Sequence, residues 1–230
     1  MTEHTNELEK RTKKIREEMG GKSRLEKMES EGKPNIRQHI DAILDEGTFQ
    51  EIGTFSRSLR EEDRETTPGD GKIGGEGEID GRPVAIAGDD ITVKRGSSSI
   101  VGSRKTSRLY ERALKMGFPY VYFGETGGGR IPDLIGAEGI SDAMPSPEIA
   151  RRRRLSPVAR VIVGQSFGGS SFHSAFSDFT VQACGSVLAV TSPRVFEVTT
   201  GEIVGFEELG GVDVHTKTTS QIDVGANQNY

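Results

Sequence analysis

Short apolar runs that end in glycine-rich turns characterise the chain from about residue 70 onward. The runs at 118–123 and 158–163 predict buried strands, and each is followed by glycines and then by a stretch that favours a helix. For the second run this helix is predicted over 172–179. Asp80-Gly81 separates two earlier segments, 72–79 and 84–93, and predicts a hairpin between them. The recurring order of strand, strand and helix predicts an α/β domain built as a ββα spiral.

The N-terminal region has a different pattern. Apolar residues at roughly helical spacing among many charges predict one or two amphipathic helices that break at Gly20-Gly21, and a further helix runs from Asn35 to about Gly47. Helices with so few apolar residues are not stable alone, so we expect them to pack on the main domain or on another subunit. The sequence therefore divides into residues 1–68, a helical arm with a short strand, and residues 69–230, the α/β domain.

Composition excludes several classes of function. The net charge of −5 over 230 residues gives no support for nucleic-acid binding. No apolar run reaches the roughly 18 residues of a membrane span, and the N-terminus lacks the apolar core of a signal peptide, so we expect a cytoplasmic protein. The single cysteine, Cys184, lies in an apolar run and is predicted to be a small buried residue.

Two glycine-rich turns carry the candidate chemistry. They span residues 125–131 and 164–171, each between a predicted strand and a predicted helix. Glycine permits positive φ and close approach of a ligand, and a strand that runs into a helix leaves backbone N–H groups unpaired. Two such turns about 40 residues apart can each supply one N–H to a single developing oxyanion. The pair therefore favours thioester enolate chemistry over phosphate binding.

Several motifs recur in an order typical of one family. They are the hairpin after Asp70-Gly71, the loop 96–99, the two glycine turns, and the segment 206–211 with His215. This ordered set resembles the N-terminal half of the carboxyltransferase (β) subunit of biotin-dependent acyl-CoA carboxylases of the propionyl-, acetyl- and methylcrotonyl-CoA type. The resemblance extends from about residue 20 to residue 230.

The resemblance implies a crotonase-like domain that binds an acyl-CoA. It places the thioester carbonyl between the backbone N–H groups of Gly129 and Gly169, which would be the catalytic donors. It also implies a set of residues that bind the acyl-CoA: Gly96, Ser97, Gly128, Arg130, Phe167, Gly168 and Ser170. Phe167 is larger than the alanine that the family usually has there, so it is expected to reshape the acyl pocket.

Residues near the second turn argue against the hydratases and isomerases of the same superfamily. Those enzymes need a carboxylate there as a general acid or base, but residues 165–177 contain no Asp or Glu, and Phe172 stands where a hydratase would carry its glutamate. His173 is more readily explained as a structural histidine than as a base. A helix predicted from Pro147 carries Arg151 to Arg154. This run is either a contact for CoA phosphates or, more often for such a run, a solvated or interface face.

The resemblance implies one function and leaves two rivals. The chain would be the acyl-CoA-binding half of a carboxyltransferase that uses carboxylated biotin on a partner carrier protein, with no metal in this chain. Family members are about twice as long, so the expected partners are a C-terminal-type carboxyltransferase subunit or domain, biotin carboxylase and the biotin carrier protein, in a homo- or hetero-oligomer. The alternatives are a biotin-dependent decarboxylase or transcarboxylase subunit, and a non-catalytic CoA-binding assembly subunit.

Overall fold

A mixed sheet forms the centre of the molecule. The computed structural model describes residues 3–143 and 155–227. Within these residues the sheet has eight strands. The strands are β1 (Gln50–Glu51), β2 (Lys72–Ile79), β3 (Arg82–Asp89), β4 (Tyr120–Thr126), β5 (Val158–Phe167), β6 (Phe179–Ala183), β7 (Val187–Ala189) and β8 (Val224–Ala226).

The strand order places the ends of the parallel strands side by side. The order is β1-β2-β3-β4-β5-β6-β8, and β7 pairs with the end of β5. The predicted hairpin is confirmed, because β2 and β3 are antiparallel, whereas β3, β4, β5, β6 and β8 are parallel in succession. Parallel strands share one carboxyl edge, so the turns that follow β4 and β5 lie next to each other.

Helices cover both faces of the sheet. They are α1 (Glu3–Glu18), α2 (Lys22–Ser30), α3 (Ile36–Ile43), α4 (Ile100–Met116), α5 (Ile131–Leu134), α6 (Ala137–Ala143), α7 (Gly169–Ala175), α8 (Pro193–Thr200), α9 (Phe206–Gly210) and α10 (Val212–Val214). Helix α3 begins as predicted at Asn35, whose side chain forms a capping box with Gln38. Helix α4 begins at Ser99, whose hydroxyl accepts from the Gly102 N–H, and it ends at Gly117 in the left-handed conformation.

The N-terminal arm packs on the main domain. Ile36, Ile40 and Leu44 are buried in one apolar cluster with residues of β2, β3 and β4. On the other face, the α4 residues Leu109 and Ala113 join a second cluster with residues of the same sheet. Strand β1 pairs with β2, so the end of the arm extends the sheet. The break between α1 and α2 confirms the helix interruption predicted at Gly20-Gly21.

Three local predictions are wrong. Cys184 is exposed, because it follows the end of β6 instead of lying in a strand interior. The strand predicted over 158–163 is β5, and it continues to Phe167. The glycine turn that follows it is therefore reduced to Gly168-Gly169, and the next helix begins at Gly169. Phe179, predicted to end that helix, begins β6. The helix predicted from Pro147, with Arg151 to Arg154, lies outside the described residues.

Candidate active site

The first glycine turn joins β4 to α5 and leaves one N–H without an acceptor. The Gly127 N–H donates to the Arg95 carbonyl (2.9 Å), and the Gly128 N–H donates to the Thr126 hydroxyl (3.1 Å). The Arg130 N–H donates to the Ser98 carbonyl (2.7 Å). Within the described part of the chain, the Gly129 N–H between them donates to no protein atom. Gly128 has φ of 100°, a conformation that favours glycine.

The second glycine turn joins β5 to α7 and has the same property. Gly168, with φ of 70°, caps the helix, and its N–H points to the carbonyls of Ala189 (3.2 Å) and Val190 (3.1 Å). Gly169 and Ser170 form the first turn of α7, where an N–H has no intrahelical acceptor. Among the described residues neither of these two N–H groups donates a hydrogen bond. Each turn therefore presents unpaired donors.

The two turns touch each other. A Cβ built on Gly168 would lie 3.9 Å from the Cα of Gly128, and one built on Gly128 would lie 4.0 Å from the Cβ of Phe167. The sheet fixes this approach, because Thr126 at the end of β4 pairs with Ser166 near the end of β5. The unpaired donors of both turns are thus held in one region by backbone pairing rather than by flexible side chains. Such an arrangement can stabilise negative charge on one oxygen atom.

A cavity of about 860 Å³ adjoins the turns. Four of the predicted site residues line it: Ser97, Gly129, Arg130 and Phe167. The other five, Gly96, Gly128, Gly168, Gly169 and Ser170, belong to the two turns and to the preceding loop. The Gly96 carbonyl accepts from the Lys72 ammonium (2.7 Å) and from the Thr126 hydroxyl (2.9 Å), so this loop is tied to β2 and β4.

Arg130 is held by a buried ion pair. Its guanidinium donates to Asp70 (2.6 Å) and to the Ser97 hydroxyl (3.2 Å), and Asp70 has no solvent exposure. Asp70 also accepts from the hydroxyl of Ser99 and from the Gly102 N–H (3.0 Å). Its carboxylate therefore anchors the first glycine turn to the start of α4. Since Asp70 already neutralises the cation, contact between Arg130 and CoA stays a prediction, and its evident role is to fix the turn.

The apolar wall of the cavity contains two aromatic rings. Phe167 is buried, and its ring centroid lies 6.4 Å from that of Phe206. The Ser170 hydroxyl accepts from the Ser166 hydroxyl (2.6 Å), whereas the Ser170 N–H donates to no atom of the described residues. The wall and the donors together suit a ligand with an apolar chain and a polar carbonyl.

The surroundings of His173 and His215 indicate structural roles for both residues. Burial lowers the pKa of His173 to about 3, so the ring is neutral near pH 7 and a weak base. His215 is buried, with Nε2 2.7 Å from the Leu188 carbonyl and Nδ1 2.9 Å from the Thr219 hydroxyl. It thus ties the segment after α10 to β7.

Sequence reasoning missed Glu125, the residue before Thr126 in β4. Burial, and secondly the nearby Asp89, raise its pKa to about 7. A Cβ built on Gly164 of β5 would lie 2.2 Å from its carboxylate oxygen, so the absence of a side chain at Gly164 leaves space for the Glu125 carboxylate in its present position. The only signal in the sequence was an acidic residue at the end of a strand just before the glycines. Within the described ranges, no group of three or more His, Cys, Asp or Glu side chains is suited to hold a metal ion.

Comparisons with known proteins cover most of the chain. The model of the carboxyl transferase domain family matches residues 27–229. The methylmalonyl-CoA carboxyltransferase 12S subunit of Propionibacterium freudenreichii is 34% identical over 88% of this chain and 39% of that subunit. The propionyl-CoA carboxylase beta chain of Cereibacter sphaeroides is also 34% identical, over 100% of this chain and 45% of that one.

A solved structure extends the similarity to the fold. Transcarboxylase 12S, crystallised as a hexamer assembly with methylmalonyl-coenzyme A and methylmalonic acid bound, matches with a TM-score of 0.88 and 31% identity. The match covers 99% of this chain and 45% of that one, so the chain spans less than half the length of its relatives. The crotonase-like α/β fold and the resemblance to the N-terminal half are thereby confirmed. Among the described residues, no helix combines the length and apolar character needed to cross a membrane. The chain belongs to the carboxyl transferase domain family.

Proposed function

We propose that this chain is the acyl-CoA-binding half of a biotin-dependent acyl-CoA carboxyltransferase. The observation that carries the proposal is the pair of touching glycine turns, each with an N–H that has no protein acceptor among the described residues. A thioester carbonyl oxygen placed there accepts from Gly129 and Gly169. When the α-carbon loses its proton, negative charge moves onto that oxygen, and fixed amide dipoles stabilise it without reorganisation.

The surroundings suit a carboxyl transfer more than a hydration. His173 is neutral, and α7 carries no carboxylate after the turn, so this chain offers no evident acid or base to a bound thioester from that helix. Carboxybiotin, a substrate carried by a partner protein, would supply the carboxyl group and its released nitrogen would accept the proton. The chain's own contribution is to bind the acyl-CoA, orient its α-carbon and hold the enolate.

The remaining partners follow from the need for a carboxyl donor. Near-attack geometry requires that the carboxyl donor face the bound thioester. A second, C-terminal-type domain or subunit would position that donor, with biotin carboxylase and the carrier protein completing the cycle. Transfer from a carboxylated acyl-CoA, in the direction of a transcarboxylase, is the second candidate, because one relative at 34% identity is named for that reaction.

The proposal is tested by removing one N–H without disturbing the helix. Gly169 is the first residue of α7, a position where proline is well tolerated although it has no N–H. Gly168, with φ of 70° and ψ of −124°, also has the mirror-extended conformation that glycine can adopt before proline. Gly169→Ala keeps the N–H and is the matched control.

We expect Gly169→Pro to lower turnover in the assembled enzyme by about 10²–10³-fold, the usual effect of losing one oxyanion donor. Gly169→Ala should retain most of the activity, with thermal unfolding used to confirm that both variants are folded. Equal turnover of Gly169→Pro and Gly169→Ala would refute the role of this N–H. If neither the native chain nor its assembly binds any acyl-CoA by calorimetry, the proposed function itself is wrong.

A further inference from the structure

The direction of the Gly129 N–H is fixed although this group donates to no protein atom of the described residues. It shares one planar trans peptide unit with the Gly128 carbonyl, so the two groups point in opposite directions. The Gly128 carbonyl accepts from the Ser98 N–H (2.9 Å), and the Ser98 carbonyl accepts from the Arg130 N–H (2.7 Å). Ser98 and Gly129 thereby form an isolated parallel β-bridge. The backbone of loop 96–99 therefore holds this peptide from the side opposite to the free N–H.

The hydrogen bond from Ser98 also affects the strength of the donor. A carbonyl that accepts a hydrogen bond polarises its amide group, and the N–H of that group becomes a stronger donor. This effect requires that the Ser98 N–H keep its distance and direction from the Gly128 carbonyl. The contacts that hold loop 96–99 against the first glycine turn are therefore part of the site.

Thr126 joins the loop to the turn. Its side chain is buried, with 3% of the residue exposed. Its hydroxyl accepts from the Gly128 N–H (3.1 Å) and donates to the Gly96 carbonyl (2.9 Å), with a longer contact of 3.4 Å to the Gly128 carbonyl. One hydroxyl thus holds both the residue whose carbonyl Ser98 contacts and the start of the loop that carries Ser98.

A buried ion pair holds the Gly96 carbonyl as well. The Lys72 ammonium donates to this carbonyl (2.7 Å) and to the carboxylate of Asp89. Asp89 also accepts from the Tyr122 hydroxyl (2.6 Å) and from the Glu125 N–H (3.0 Å), both in β4. Both residues of the pair are buried, so the loop and the end of β4 share one rigid support.

We propose that Thr126 is a positioning residue for the enolate, which aims the Gly129 N–H at the thioester oxygen and contacts no substrate itself. This inference rests on the proposed function, because it assumes that the oxygen binds at the glycine turns. Thr126 is not among the described residues that line the 860 Å³ cavity. Without its hydroxyl, the buried Gly128 N–H has no acceptor and the loop is released on one side. The Gly128–Gly129 peptide can then rotate while the residues that line the cavity stay in place.

The test removes the hydroxyl and keeps the shape of the side chain. We expect Thr126→Val to lower kcat of the assembled enzyme about tenfold to a hundredfold, less than the loss of the donor itself. KM for acyl-CoA should change by less than about twofold, because orientation is lost and binding is not. Thr126→Ser keeps the hydroxyl and should retain most of the turnover. If Thr126→Val is unfolded, Thr126→Ala removes the same group.

Thr48→Val is the matched control. The Thr48 hydroxyl also accepts from one backbone N–H, that of Glu78 (3.1 Å), and donates to one carbonyl, that of Asp45 (2.7 Å). It lies beside the β2–β3 hairpin, at the amino end of β3, whereas the glycine turns follow the carboxyl ends of the parallel strands. Thr48→Val should lower the thermal unfolding temperature and leave kcat unchanged.

A spectroscopic readout separates orientation from general stability. The infrared carbonyl band of a bound acyl-CoA labelled with ¹³C at the thioester reports directly on hydrogen bonds to that oxygen. We expect the shift of this band to lower frequency to be smaller in Thr126→Val than in the native chain, Thr126→Ser and Thr48→Val, because only Thr126→Val misdirects the Gly129 N–H.

Several outcomes would overturn the inference. They are native kcat in Thr126→Val, an equal loss in Thr126→Val and Thr48→Val, a loss in Thr126→Ser as large as that in Thr126→Val, or the same band shift in all four proteins. A rise in KM without a fall in kcat would also overturn it, since Thr126 would then serve binding. Failure of the proposed function is distinguishable, because the native chain would then bind no acyl-CoA and Gly169→Pro would turn over like Gly169→Ala.

Discussion

Replacement of Asp70 by asparagine should destabilise the chain severely, although it exchanges only one carboxylate oxygen for an amide nitrogen. Asp70 has no solvent exposure, and its carboxylate neutralises the guanidinium of Arg130, of which 6% is exposed. Asparagine tolerates the left-handed backbone of this position, where φ is 52°, so the substitution removes the charge and little else. Breaking a buried pair from one side typically costs about 3–5 kcal/mol. After Asp70→Asn the Arg130 cation retains only the longer ion pair to the buried Asp133, at 3.8 Å, so we expect a cost toward the lower end of that range. That cost is a large part of the 5–15 kcal/mol stability typical of a domain.

Urea unfolding at pH 7 measures this effect, and Asp213→Asn serves as the control because its ion pair with Lys217 is exposed and should contribute at most about 1 kcal/mol. Addition of Arg130→Met to Asp70→Asn removes the cation that has lost its shorter ion pair. The double variant should therefore be less destabilised than the sum of the two single variants by about 0.5–3 kcal/mol. A loss below about 1 kcal/mol for Asp70→Asn, or strict additivity in the cycle, would refute the argument that this ion pair holds the first glycine turn.

Three further predictions concern the same site. Burial raises the pKa of Glu125 from 4.5 to about 7, so the folded protein holds this proton more tightly than the unfolded chain does. The resulting stabilisation of the fold is fully present below pH 4.5 and is lost as the pH rises to about 7. The free energy of unfolding of the native chain, measured with urea, should therefore fall between pH 5 and pH 8, and Glu125→Gln should remove up to about 3 kcal/mol of that fall. The same change between pH 5 and pH 8 in both proteins would contradict this prediction. Gly128 has φ of 100°, so Gly128→Ala should lower the free energy of unfolding by roughly 1–2 kcal/mol and weaken acyl-CoA binding. In Gly127→Ala the new Cβ makes only an ordinary contact, 3.4 Å from the Arg95 Cβ, so stability and binding should both be unchanged. Equal effects of the two substitutions would be evidence against a strained turn at Gly128. Phe167→Ala should shift the ratio of affinities toward longer acyl-CoAs in calorimetry, because it removes one of the two rings of the cavity wall, and an unchanged ratio would exclude Phe167 as a determinant of chain length.

Local features of the site were predictable because they depend on neighbouring residues. The glycines at 128 and 168 mark positions of positive φ, and Asn35 marks the start of α3 through its own side chain. The hairpin at Asp80-Gly81 is equally local. Sequence patterns of this kind report backbone geometry over a few residues, and there the predictions were largely correct.

The remaining features depend on contacts between distant residues. The ion pair between Asp70 and Arg130 joins positions 60 residues apart, and the raised pKa of Glu125 arises from burial and from Asp89 on another strand. The exposure of Cys184 follows from where β6 ends, which its apolar neighbours do not indicate.

The most direct test of the central claim is the infrared stretching frequency of a thioester carbonyl bound to the protein. An acyl-CoA with ¹³C at the carbonyl isolates this band from the protein amides. If Gly129 and Gly169 donate to the oxygen, the band of the bound ligand shifts to lower frequency in the native chain and in Gly169→Ala, and the shift is lost or much reduced in Gly169→Pro. A bound thioester with the frequency it has in water, or the same shift in all three proteins, would contradict the assignment of these two glycine turns as the site that stabilises the enolate.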